Sequence, residues 1–459
     1  MIRYPFLCIL LELLIMLSIP LTFSSNLSKG NEIPVGRRYA VVYYGVSNDY
    51  VTRIVLERNY TIVIAEPYFV IPKEWKERGI QVYVYIDILG LWIDKLDWVR
   101  KNHPEWLLYT KEGKVAKFWY GQEFMCNIAV KSYQDYLINK AKEYLKKGFT
   151  GIFLDDIHLN INELGGPQYD TPVYNETKYG KWIDALIQFI IRLKNETGAP
   201  LMYNAGWSPP SPILMKYMDG VMLEAHPTTY VVTSDIESIT KPKYCCRRWT
   251  DIMKVSIIAQ EYAKEGKIVV ALSYGESENI YEFSYAAVRL FDFYYWVSKP
   301  IIDSILNASV LDLDLGNPLG EYKVDGFIYY RLYDKGMVAV NPFKKKYSII
   351  IDVPNNWLEL RRINGEIYKV NSGKLNITLG PQEGLVLLLE KTGKPSKTNQ
   401  ERTFSQNMQK QSQSSINIKN IIPMLANNAS SVFAIIVSVL ALTIIILDYK
   451  KRQHKLSKQ

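Results

Sequence analysis

The chain has 459 residues, of which 48% are hydrophobic and 22% charged, enough apolar material for a large core and more than one folded region. Its net charge of +9 sits almost entirely at the end: from Thr392 onward there are ten Lys plus Arg against two Asp plus Glu. The remainder is close to neutral, so no basic domain is left to hold a nucleic-acid backbone.

In chain order, residues 1–25 carry Arg3 and an apolar run interrupted only by Glu12, the pattern of a secretory signal; without a clear small-x-small cleavage site, an uncleaved anchor is the alternative. Residues 33–307 are expected to form a (β/α)8 barrel. Helix-like segments rich in Lys and Glu run four times into a glycine, at Gly79, Gly148, Gly198 and Gly266, and then into a short apolar strand with a polar end. Strand-like runs fall at Tyr39–Tyr44, Thr61–Glu66, Ile80–Asp87, Gly151–Asp156, Pro200–Asn204, Gly220–Glu224, Lys267–Ser273 and Phe291–Val297. Helical periodicity fills the gaps, as at Tyr133, Leu137, Ala141, Tyr144 and Leu145 before Gly148. Eight such units in this length suit a TIM barrel, and the first βα turn lacks the G-x-G-x-x-G that many open doubly wound sheets carry.

Residues 308–391 change to short alternating strands, which predicts a small C-terminal β-sandwich. Residues 392–426, rich in Ser, Gln, Asn and Lys, read as a disordered linker. Within 427–448 the stretch Ala429 to Leu447 has no charge and the length of a membrane-spanning helix, and the tail 449–459 is basic. That asymmetry predicts a single-pass protein with its tail in the cytoplasm and its folded part outside. Seven sequons, at Asn26, Asn59, Asn175, Asn195, Asn307, Asn376 and Asn428, all precede the span.

Cysteine is sparse: apart from Cys8 there are Cys126 and the adjacent Cys245 and Cys246, so one bridge from Cys126 to either is open. The histidines, at positions 103, 158, 226 and 454, are too few and scattered for a multi-histidine metal centre, and no cofactor is expected.

The chemistry-bearing signals lie where strands end, which is where parallel α/β folds bind ligands. Asp155 and Asp156 close the fourth strand, and Glu224 closes the sixth. An ionised carboxylate at the end of a strand buried on both faces is costly without a purpose. Two carboxyls facing one another across a barrel mouth are what glycoside hydrolysis needs. Asp87 and Glu66 end neighbouring strands as supporting acids. Tyr44, Asn204, Ser273, Tyr274 and His226 add hydrogen-bonding groups, and Trp92, Trp119, Tyr120 and Trp207 follow strands three and five, where aromatic faces could stack on sugar rings.

The run His103-Pro104-Glu105-Trp106, then Gly113, then Gly148-Phe149-x-Gly151-Ile152-Phe153-Leu154-Asp155-Asp156, then Val221-Met222-Leu223-Glu224, resembles the glycoside-hydrolase-like TIM barrels related to the endo-α-1,4-polygalactosaminidase group. The likeness extends from about Arg38 to Lys391 and takes in Val338-Ala339-Val340-Asn341-Pro342 and the closing Gly380-Pro381-Gln382-Glu383-Gly384-Leu385. In similar retaining barrels the nucleophile ends strand four and the acid/base ends strand six, which implies those roles for Asp155 and Glu224. Thr150 stands where such families often have Asp, and Met125-Cys126-Asn127 replaces a more polar stretch. The expectation is a membrane-anchored glycoside hydrolase. A non-catalytic carbohydrate-binding surface protein, or a metal hydrolase using Asp155, Asp156 and Glu224, are the alternatives.

Overall fold

The computed structural model describes residues 40–43, 49–165, 168–231, 243–299, 303–304 and 308–389. The expected signal segment and linker, the apolar run near the C-terminus, the basic tail and Tyr44 lie outside the described residues. Among the described residues no helix is long and apolar enough to cross a membrane. The folded region up to Glu390 is one compact unit.

Eight parallel strands, β1 (Ala40–Tyr43), β2 (Ile62–Ala65), β3 (Gln81–Asp87), β4 (Gly151–Asp155), β5 (Leu201–Asn204), β6 (Gly220–Glu224), β7 (Ile268–Tyr274) and β8 (Tyr294–Lys299), lie side by side in chain order in a half-barrel sheet. A short ninth strand, β9 (Asp303–Ser304), pairs antiparallel to β8. β1 and β8, the two ends of the parallel run, come close to one another, and Tyr60 meets Trp296 edge-on at 6.1 Å. Every strand expected from the sequence is present. β4 and β6 are buried along their length until the closing carboxylate, as parallel strands covered on both faces should be.

The helices between them bury one face each. α1 (Lys131–Lys147) packs Tyr133, Leu137, Ile138 and Ala141 inward, and α2 (Trp182–Thr197) packs Leu186, Phe189, Ile190 and Leu193. All four turning glycines have left-handed backbone, with φ of 68° at Gly79, 108° at Gly148, 65° at Gly198 and 83° at Gly266. Each reverses the chain from a helix end into the next strand.

The C-terminal part departs from the expected sandwich. It is one continuous antiparallel sheet of eight strands: β10 (Lys323–Asp325), β11 (Ile328–Tyr333), β12 (Gly336–Asn341), β13 (Tyr347–Asp352), β14 (Glu359–Arg362), β15 (Ile367–Asn371), β16 (Lys374–Leu379) and β17 (Glu383–Leu389), in the order β10-β11-β12-β17-β14-β15-β16-β13. β15 pairs with β14 on one edge and β16 on the other, which stitches the two expected layers together. Its barrel-like fold encloses Met337, Ile351, Trp357, Leu360, Leu375 and Leu387. It is latched to α3 (Glu278–Arg289), where the Glu282 carboxylate takes bonds from the Arg362 guanidinium and the Val386 N–H. Among the described residues no disulfide joins the cysteines: Cys126 is free and buried in the core, and Cys245 and Cys246 are free on the strand that pairs with Thr228–Tyr230.

Candidate active site

A cavity of about 1300 Å³ opens at the ends of the parallel strands, larger than the roughly 300–1,000 Å³ that suits one small ligand. Glu66, Asp87, Asp155, Asp156, Asn204, Glu224 and Tyr274 line it, with Trp92, Trp119 and Trp207. Parallel register explains the gathering. Asp87 and Asp155 are register partners on β3 and β4, and Asn204 is paired with Met222, two residues before Glu224.

At the centre, one amide holds both principal acids. Asn204 Nδ2 donates to Asp155 Oδ1 at 2.9 Å and to Glu224 Oε2 at 2.6 Å. Those two oxygens are therefore no farther apart than the two bonds laid end to end. The Asn204 carbonyl accepts the Gly206 N–H at 2.8 Å, which fixes which way the amide points. Asp155 also accepts the backbone N–H of Asp156 at 2.8 Å and a bond from Tyr85. Glu224 Oε1 accepts the Tyr274 hydroxyl at 2.6 Å.

The residue after each acid is left-handed without being glycine: Asp156 has φ 55° and Ala225 φ 52°. Such a backbone costs on the order of 1–3 kcal/mol and persists only where its surroundings enforce it. At Asp156 it turns the residue's own N–H onto Asp155. Trp119 and Tyr120 are left-handed too, with φ 41° and 56°, and the turn sets Trp119 against Trp92 edge-on at 6.1 Å.

The cavity is crowded with acids and their protons are held tightly. Burial raises Asp155, while the bonds from Asp156, Asn204 and Tyr85 oppose the rise. Glu224 is raised by burial and further by the charge of Asp155. Burial and then Asp155 push Glu66 up to about 7. Asp156 is raised by burial and by Asp155 and Asp87, with His158 Nε2 at 3.7 Å from its carboxyl.

Not every expected residue reaches the cavity. His226 is buried behind the site, with Nε2 2.9 Å from Ser256 Oγ, and burial pulls it down to about 3; it is no substrate ligand. Ser273 is fully buried and donates to the His226 carbonyl, because alternation along β7 turns it away from the face that Tyr274 shows. Tyr120 stands behind the wall, accepting a bond from Gln168 at 3.2 Å.

Sequence reasoning missed Glu123, which lines the cavity although it is only 8% exposed. It sits on a small antiparallel sheet inserted after β3, formed by Gly90–Trp92, Lys117–Phe118 and Glu123–Met125. Tyr85, Tyr169 and Tyr230 were missed as well. Tyr85 is legible by period, two residues before Asp87 on the same face of β3. The others lie on segments without periodic signal. Among the described residues no group of three or more His, Cys, Asp or Glu is arranged to hold a metal ion.

The model of hypothetical glycosyl hydrolase family 15 matches residues 90–337, just over half of the chain. No curated protein matches. Among solved structures the chain is similar to the glycoside hydrolase domain of PelA from Pseudomonas aeruginosa, at 18% identity over 59% of this chain and 98% of that one, with a TM-score of 0.44. An Anoxybacillus alpha-amylase is 13% identical over 79% of this chain and 99% of its own, at a TM-score of 0.42. Trehalose-6-phosphate hydrolase from Bacillus licheniformis is 9% identical over 78% and 100%, at 0.46. With its match running from the small inserted sheet through the strands that carry Asp155 and Glu224 and into the C-terminal sheet, the chain belongs to hypothetical glycosyl hydrolase family 15.

Proposed function

We propose that the protein is a membrane-anchored glycoside hydrolase that works outside the cytoplasm on polysaccharide or glycoprotein glycans, by a retaining mechanism on a closed (β/α)8 barrel. The observation that carries this reading is the shared Asn204 amide, which holds Asp155 and Glu224 at one point of the cavity. The ceiling it sets on the nearest pair of oxygens agrees with the ≈ 5–5.5 Å of retaining enzymes and falls below the ≈ 6.5–9.5 Å of inverting ones.

The surroundings divide the roles. Three donors favour the ionised form of Asp155, which suits it to attack the anomeric carbon. The same negative charge raises Glu224, which suits it to hold a proton and pass it to the leaving oxygen. Once the glycosyl ester has formed and Asp155 is neutral, the charge that added to the rise from burial is gone. Glu224 is then the stronger acid and weaker base, ionised and able to take a proton from the incoming water. Among the described residues no cation figures among the groups that shift either carboxyl, so none of them locks either acid in an ion pair as it would a purely structural acid. Anchoring and topology rest on the uncharged run Ala429 to Leu447 and the basic residues after it.

The test is a screen of membranes carrying the full chain against α- and β-linked polysaccharides, with product analysis. Cleavage with retained anomeric configuration, lost in Asp155→Asn and Glu224→Gln, is the expected result. Equal turnover by those variants would overturn the assignment, and binding without turnover would make the protein a lectin.

A further inference from the structure

We propose that Glu123, paired with Asp87, is a specificity-determining residue that grips the hydroxyls of the sugar ring facing Asp155. Which ring is gripped rests on the hydrolase reading; that the pair binds a sugar does not.

Glu123 is the register partner of Trp92 on one side and Phe118 on the other, and Trp119 follows directly. The inserted strap therefore delivers two indoles and one buried carboxyl to a single wall of the cavity. Asp87 meets it from β3. Asp87 Oδ1 is committed to the backbone, accepting the N–H groups of Leu89 and Gly90, both at 2.7 Å. Its Oδ2 converges with Glu123 Oε2 in the space above Gly90, where a Cβ would overlap both oxygens. Two buried carboxyls that converge in this way repel one another when both are ionised, which favours a proton on one of the two.

The pair is thus both donor and acceptor, with a single negative charge. Burial raises both groups, Glu123 to about 7, and no cation is among the causes for either. Packing alone gives no reason to bury two acids without a cation, since apolar residues of similar size would cost less. A sugar hydroxyl also donates and accepts, so two neighbouring hydroxyls match the pair. Trp92 and Trp119 stand edge-on to one another, so the face of one indole, braced by the edge of the other, offers the apolar platform on which the C–H side of the same ring can lie. Asp87 and Asp155 are register partners on adjacent strands, which lie about 4.8 Å apart, so one ring spans both.

The experiment is titration of the tryptophan fluorescence of the full chain with D-glucose, D-galactose, D-mannose and the monodeoxy forms of the tightest binder. The expected result is that Glu123→Ala weakens the tightest sugar at least tenfold and levels it with the deoxy form lacking the contacted hydroxyl. Glu123→Gln, which keeps a donor and an acceptor, should stay within about threefold of the parent. If Glu123→Ala does not fold, Glu123→Met, which fills the same space, takes its place. Unchanged discrimination in the apolar variant, or no sugar of the panel binding to the parent, overturns the proposal. Binding is read without turnover, so the two readings fail separately. A chain that discriminates through Glu123 yet never cleaves sinks only the hydrolase, and one that cleaves with selectivity untouched in Glu123→Ala sinks only this inference.

Discussion

The hydroxyl of Tyr274 donates to Oε1 of Glu224 at 2.6 Å, a bond that favours the ionised carboxylate and so opposes the upward push of burial and Asp155. Tyr274→Phe removes the donor and keeps the ring, which packs edge-on against Tyr230 at 5.1 Å. The Glu224 pKa should rise further. Because Glu224 must be protonated to act as the acid, the alkaline limb of the kcat/KM profile should move to higher pH. In the second step, where Glu224 acts as an ionised base, less of it is ionised at a given pH, so the acid limb of kcat should also move to higher pH. A limb that stays put or moves down contradicts the assigned role.

Asn204 is a positioning residue, since it acts on the substrate only through the two acids it holds. Asn204→Ala leaves the two carboxyls to repel one another without a shared donor. Expected is a fall in kcat of about ten- to a hundredfold, from bonds worth roughly 1.5–3 kcal/mol each, with a smaller change in KM. Asn204→Asp places a third acid between them and should be worse than Asn204→Ala, with the alkaline limb displaced upward. Steady-state kinetics across pH would separate the two, and Asn204→Asp as active as the parent would refute the geometry.

The parallel sheet and its polar strand ends were legible because period, glycine turns and a closing carboxylate repeat unit after unit. Glu66, Asp87, Asp155, Asn204 and Glu224 follow from that rhythm. The strap with Glu123 was not, since its strands are two or three residues long and pairing, not pattern, holds them. His226 misled for a related reason: it follows a site strand by two residues, but the left-handed Ala225 turns the chain inward and buries it. The continuous C-terminal sheet depends on β15 joining both halves, a long-range choice that no local run reveals.

Glu66 gives a stability prediction with a definite sign. Its pKa rises from 4.5 to about 7 on folding, which corresponds to about 3 kcal/mol. Below the unfolded value the group is protonated in both states and costs nothing. Between roughly pH 4.5 and 7 the unfolded chain ionises first, so the folded state loses ground as pH rises, and above 7 the loss is complete. Glu66→Gln should therefore melt higher than the parent at about pH 8 and close to it at about pH 4. Equal melting curves at both values would show that Glu66 does not titrate in this way.

The C-terminal sheet is fastened by a buried ion pair that invites a direct test. Arg362 Nε and Nη2 reach Glu282 at 3.0 and 2.8 Å, Nη2 also reaches Glu383 at 2.7 Å, and the side chains of Arg362 and Glu282 are only 14% and 10% exposed. Arg362→Met strands the Glu282 carboxylate against α3 with only the Val386 N–H for company, at a cost of roughly 3–5 kcal/mol. Adding Glu282→Leu removes the stranded charge, so the double variant should recover much of the loss. Thermal melting of parent, single and double variants measures this. The expected order is the single variant lowest by several degrees, the double between it and the parent, and a single variant as stable as the parent would mean that apolar packing of α3 on β12 and β17 holds the sheet without the pair.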